Sequence, residues 1–119
     1  MVMGSINSVL AHPRQLVYSA SKHAVLGILR AAALDLGRHG IRVNGVAPGP
    51  IATDALLGRI RARAQSGQSE AEAMAALAGQ TALGRLATAD EVASTVAFLA
   101  GPAAAGITGQ LLRVDAGMA

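Results

Sequence analysis

Three residues of complementary chemistry stand near the start of the chain: Ser5, Tyr18 and Lys22. Tyr18 and Lys22 are four positions apart, a spacing that puts two side chains on one face of a helix. A free phenol titrates near ~10, so at neutral pH it is a weak acid and a mostly protonated base. A neighbouring ammonium favours the phenolate. A phenol so placed can pass a proton to or from a substrate oxygen. Ser5 precedes Tyr18 across a loop containing Pro13, and its hydroxyl could return to the same mouth and bond the same oxygen. Taken alone, Tyr-x-x-x-Lys has a second reading, as a surface phenol beside a solvated amine.

Such a site needs elements to hold it. Val2–Val9 mixes apolar and small polar residues and could hold the end of a strand; Ala11–Gln15, with Pro13, reads as loop. From Ser19 to about Arg38 apolar residues recur at three and four (Ala20, Ala24, Val25, Ile28, Leu29, Ala32, Ala33, Leu36), which predicts a helix. Gly27 inside it costs up to about 1 kcal/mol relative to Ala, a cost that close packing against another backbone would offset. Gly40 is a natural stop. Ile41–Ala47 alternates little and reads as a strand buried on both faces of a parallel sheet, ended by Pro48-Gly49-Pro50. Asp54–Ala64 and Glu70–Ala78 are predicted helices split by Gln65-Ser66-Gly67-Gln68. Ser69 with Glu72, and Thr88 with Glu91, fit capping boxes. The second opens a helix over Ala89–Ala100 that Gly101-Pro102 closes. Gln110–Val114 reads as a last strand. The order is that of an α/β fold with a parallel sheet of about three strands. The first strand begins at or near the chain start, so one edge is expected to lie bare.

Composition narrows the function classes. Hydrophobic residues are 52% of the 119 and mean hydropathy is +0.43, values that argue against disorder and for a segment buried on several sides or needing a partner. No run approaches the roughly 18 apolar residues of a membrane span, and no secretory signal is visible. There is no cysteine, hence no disulfide framework or thiolate metal site; the expected location is cytoplasmic. His12, His23 and His39 share no metal-ligand spacing, so no metal site is expected. Net charge is +3 with scattered basic residues, and aromatics are 2%, which speaks against nucleic acid as a partner. Arg59, Arg61 and Arg63 read as a solvated face.

Five blocks occur together: Tyr18-Ser19-Ala20-Ser21-Lys22; Gly40-Ile41-Arg42-Val43-Asn44; Pro48-Gly49-Pro50-Ile51-Ala52-Thr53; Gly84-Arg85-Leu86; and Ile107-Thr108-Gly109-Gln110 with Val114-Asp115. In order and spacing they resemble the short-chain dehydrogenase/reductase family, from Gly4 to Met118, with wording closest to 3-oxoacyl carrier protein reductase-like members. The resemblance implies the C-terminal, catalytic half of a Rossmann-like, doubly wound domain, and hydride transfer between NAD or NADP and a small carbonyl/alcohol substrate. It makes Tyr18 the catalytic acid/base, Lys22 the group that favours its phenolate and holds the nicotinamide ribose, and Ser5 the group that polarises the substrate oxygen. Pro48 and Gly49 would shape the loop beside the nicotinamide; the Ile51 backbone and Thr53 hydroxyl would contact its carboxamide. Thr53 also reads as a helix N-cap, and Pro48-Gly49 as a simple turn. Asn44 would be structural, at a strand end. Residues 52–83 fall at the family's variable substrate-binding region, where Leu56, Leu57, Ile60, Met74 and Leu77 read either as helix packing or as pocket wall.

The glycine-rich strand–helix turn that cradles a cofactor pyrophosphate has no counterpart in this sequence, nor has the family's catalytic Asn on a preceding helix. The chain is therefore expected to be a single partial domain lacking its N-terminal half, inactive by itself, and poorly soluble or homo-oligomeric. A non-catalytic remnant acting as an oligomerisation module is the alternative.

Overall fold

Two apolar clusters lie on opposite faces of one small sheet, and the alternation of side chains along its last strand shows how. The computed structural model describes residues 1–63 and 69–118. Its strands are β1 (Val2–Met3), β2 (Gly45–Pro48) and β3 (Leu111–Val114), in spatial order β1-β2-β3 and parallel throughout. Val2 pairs with Gly45, and Gly45 in turn with Leu111. Helix α1 (Leu16–Gly37) joins β1 to β2; α2 (Asp54–Arg63), α3 (Glu70–Ala78) and α4 (Ala89–Ala100) lie between β2 and β3.

Successive residues of a strand point to opposite faces. Leu111 packs with Val2 and Ala32 against buried Leu29 and Ala33 of α1 and Val43. Leu112 and Val114 pack with Val92 and Val96 around buried Val46, Leu99 and Ala104, against α4. One helix thus covers each face. That is the doubly wound α/β arrangement, and it explains why the middle strand carries no polar alternation.

The helix ends follow local chemistry. The Glu72 amide donates to Ser69 Oγ at 3.2 Å, and the Ser69 amide returns to Glu72 Oε2 at 2.8 Å. Thr88 and Glu91 repeat the pattern at 3.1 and 2.8 Å. Both helices keep the predicted limits. Gly40 takes a left-handed φ of 71° after α1.

Other expectations are corrected. Helix α1 begins at Leu16 rather than Ser19, so Tyr18 stands inside its first turn. The middle strand begins at Gly45, not Ile41. Ahead of it the Val43 amide donates to the Thr108 hydroxyl at 3.0 Å, and Asn44 spans to the loop before β3, donating to the Ile107 carbonyl at 2.7 Å and accepting from the Gln110 amide at 3.1 Å. This side-chain brace adds to backbone bonds there, from the Val2 amide to the Asn44 carbonyl at 2.9 Å and from the Gly109 amide to the Val43 carbonyl at 2.7 Å. A Cβ added at Gly27 would meet nothing within 4 Å beyond the adjoining helix backbone, so close packing against another backbone does not account for this glycine. The predicted break at Gln65–Gln68 lies outside the described residues.

Candidate active site

Beyond Met3 the Gly4 amide still donates to the Val46 carbonyl of β2 at 2.8 Å, and from Ser5 onward the residues bond locally. The Ser5 amide donates to Ser8 Oγ at 3.2 Å, and the Asn7 amide donates to Ser5 Oγ at 3.2 Å. These bonds close a single 3₁₀ turn over Ile6–Ser8. Gly4 suits the bend, since a Cβ there would lie 2.9 Å from Ser8 Oγ. Ser5 is buried at the strand's end, and its hydroxyl oxygen accepts from Asn7 while its proton makes no hydrogen bond among the described residues.

Asn7, which the sequence reading passed over, ties this turn to α1. It is buried, and its amide nitrogen donates to Gln15 Oε1 at 2.7 Å and to Ser19 Oγ at 3.0 Å. Gln15 and Ser19 are one helical turn apart on either side of Tyr18, and the Ser19 amide donates to the Gln15 carbonyl at 2.7 Å. Gln15 and Ser19 stood at a one-turn spacing in the sequence, but nothing there named their partner.

Ser5, Asn7, Gln15 and Tyr18 line one cavity of about 240 Å³ with Gly49, Pro50 and residues of α2 and α3. Tyr18 is half exposed. The Lys22 ammonium lies 5.8 Å from the centre of the Tyr18 ring and donates a long bond, 3.5 Å, to the Met3 carbonyl. That distance is within cation–π range. Lys22, Pro48, Ile51 and Thr53 do not line the cavity. Pro48 is the last residue of β2; Ile51 forms a parallel bridge with Ala87; the Leu56 amide donates to Thr53 Oγ1 at 3.3 Å, an N-cap bond for α2. Gly49 sits where a Cβ would lie 2.7 Å from the Asp115 Cβ, so the loop passes hard against the end of β3. Asp115 is buried there, accepting from Arg113 Nε at 2.5 Å and from the Gly117 amide at 3.0 Å.

Leu56, Ile60 and Leu77 wall the cavity, whereas Leu57 and Met74 do not. The arginine row divides. Arg61 pairs with Glu70 at 2.7 Å, Arg59 faces the cavity, and the Arg63 side chain lies outside the description. Arg59 and Arg61 are both exposed, in keeping with a solvated face, and Arg59 in addition borders the cavity.

The family described as enoyl-(acyl carrier protein) reductase matches this chain over residues 1–119. The chain belongs to the short-chain dehydrogenase/reductase family. Short-chain dehydrogenase virB of Hypocrea virens is 41% identical over 117 residues, covering 98% of this chain and 44% of the relative. The 3-oxoacyl-[acyl-carrier-protein] reductase FabG of Vibrio cholerae is 38% identical over 116 residues, covering 98% and 43%. Among solved structures, a short-chain dehydrogenase family protein from Francisella tularensis superposes with a TM-score of 0.90 at 34% identity, covering 95% of this chain and 47% of that one. A variant of actinorhodin polyketide ketoreductase solved with NADPH gives a TM-score of 0.88 at 35% identity, covering 96% and 44%. The chain spans less than half the length of these short-chain dehydrogenases and reductases.

Proposed function

We propose that this chain carries the catalytic half-site of an NAD- or NADP-dependent cytoplasmic oxidoreductase that interconverts a small carbonyl compound and its alcohol. The observation that supports it most is the meeting of the Ser5 and Tyr18 side chains at one cavity, with the Lys22 ammonium 5.8 Å from the phenol ring. When bound, a nicotinamide cofactor supplies or accepts the hydride. The residues at its reactive end fit it. Lys22 has ammonium protons beyond the one given to Met3, and these would hold the ribose hydroxyls. The Pro48-Gly49 loop runs without a side chain at its tightest point. The Ile51 backbone and the Thr53 hydroxyl would hold the carboxamide, Thr53 still capping α2 with its oxygen. A pyrophosphate cradle is not among the chain's residues, so cofactor binding by this polypeptide alone is expected to be weak.

In the reductive direction Tyr18 gives its phenolic proton to the substrate oxygen, and in the oxidative direction it takes that proton back. The ammonium of Lys22 favours the phenolate left behind. Ser5 keeps its proton and donates a hydrogen bond to the same oxygen, where charge develops. Residues 52–83 supply the substrate-facing wall through Leu56, Ile60 and Leu77.

The test is a fluorescence titration with NADH and NADPH carried to millimolar concentration, followed by turnover of a ketone. Saturable binding with turnover that Tyr18→Phe lowers by about 10²–10⁴-fold would support the enzyme reading and overturn the expectation that the chain is inactive by itself. A second reading, an oligomerisation module without catalysis, is favoured by the bare apolar residues of α1: Leu16, Val17, Ile28 and Leu34. Absence of nicotinamide binding, together with mixed oligomers formed with a full-length relative, would put that reading in place of the enzyme.

A further inference from the structure

We propose that Arg14 and Arg59 form an anion-recognising rim at the mouth of the Tyr18 cavity, and that the substrate carries a carboxylate or phosphate beside its reacting carbonyl. The proposal rests on the reading of Tyr18 as the reacting residue. Arg59 belongs to two adjoining spaces: the inner cavity with Ser5 and Tyr18, and an outer one of about 530 Å³ that it shares with Arg14 and Tyr18. A group held by the two guanidinium ions in the outer space would leave the rest of a small molecule pointing at the phenol.

Among the described residues, Arg14 and Arg59 are the only arginines that line these two spaces, and neither is ion-paired; Arg30, Arg38 and Arg42 also make no ion pair but line neither space. Arg61, Arg85 and Arg113 are satisfied by Glu70, Glu91 and Asp115. Arg14 and Arg59 make no ion pair among the described residues, and no carboxylate lines either cavity. Arg59 gives its Nε to the Ala55 carbonyl at 3.3 Å. Its two terminal amino groups have no partner among the described residues, and they present the planar fork that matches carboxylate and phosphate oxygens.

Backbone geometry adds an independent observation. Arg14 follows Pro13 with a left-handed φ of 62°. Glycine occupies that region without strain, while a long side chain adopts it against a steric penalty. The turn alone gives no reason for an arginine. Strain kept beside a reactive residue points to a use for the side chain.

The experiment uses the full chain and calorimetric titration with levulinate, its methyl ester and the matched keto-phosphate, at low and high salt. Binding of the two anions is expected to be about tenfold or more tighter than that of the ester, and to weaken with salt. Arg59→Gln should remove the preference. Arg14→Gly should reduce it while raising the melting temperature, because the strain is relieved. Arg61→Gln, the paired neighbour, should leave it unchanged. The stronger of the two anions identifies the group. Equal binding of acid and ester overturns the proposal. So does competitive displacement of levulinate by NADPH, since the rim would then hold a cofactor phosphate. Charge-selective binding that persists in a chain with no Tyr18-dependent turnover would overturn the oxidoreductase reading and leave the rim standing.

Discussion

At the scale of single residues, the site depends on a side chain that touches no reacting atom. Asn7 is buried between the Ser5 turn and α1 and holds Gln15 and Ser19 with one amide group. Its loss would leave buried Ser19 Oγ on α1, and the half-buried Gln15 Oε1 just before the helix, without this donor. Asn7→Ala is therefore expected to destabilise the chain by about 1–3 kcal/mol, read by urea denaturation. Asn7→Asp, which keeps the volume and cannot donate to either group, should lose as much at neutral pH. If both variants unfold at the parent's urea midpoint, the clamp contributes nothing. Asn44 is a second such residue, joining β2 to the approach to β3. Arg42 is a third. Its guanidinium donates to the carbonyls of Leu99, Ala100, Gly101 and Ile107 at 2.8–3.3 Å, closing the C-terminal end of α4.

At the scale of elements, α1 and α4 are held by different means. Leu29 is completely buried, in contact with the sheet through Val43, Val2 and Leu111. Leu29→Ala should cost about 2–5 kcal/mol, again read from denaturant midpoints. Helix α4 starts on an ion pair as well as a cap. Arg85 donates to both oxygens of Glu91, at 3.0 and 2.6 Å, and the Thr88 amide donates to Oε2 at 2.8 Å. The Arg85 bonds first, and the Thr88 amide second, hold the Glu91 carboxyl down at about 2. A carboxyl depressed in the folded state stabilises it above its ordinary value, and that contribution fades as pH falls from the ordinary glutamate range toward about 2. The Tm deficit of Glu91→Gln should accordingly be largest near neutrality, shrink on acidification through that window, and diminish with added salt. A deficit independent of pH would mean that only the cap geometry matters.

At the scale of the whole molecule, the sheet is too small to close itself. β1 and β3 each leave an edge unpaired in the described sheet, and a bare edge invites pairing. The radius of gyration is 16.1 Å, with a longest extent of 55 Å. A compact domain of this length would have about 13.5 Å. Leu16 and Val17 near the start of α1 and Leu34 near its end are each more than four-fifths exposed. The chain is expected to sediment as an oligomer, and substituting Val17 and Leu34 with Glu should shift it toward monomer. A monomeric species with a sharp, cooperative melt would count against this.

What the sequence determined by itself is what local chemistry decides. Helices α3 and α4 have the limits their capping boxes set, because the donor and acceptor lie three residues apart. Tyr18 and Lys22 share a helix face because the helical period requires it. Two apolar runs and the terminal residues around Val2 were enough to indicate three parallel strands. Only the tertiary structure decided which residues surround the phenol. The Asn7 clamp, the braces at Arg42 and Asn44, and the turning of Arg59 but not Arg61 toward the cavity all join groups distant along the chain or on separate elements. Such contacts depend on where α1, α2 and the strand ends come to rest. No spacing rule encodes a contact whose partners are brought together by the burial of Leu29 and Leu99 on opposite faces of the sheet.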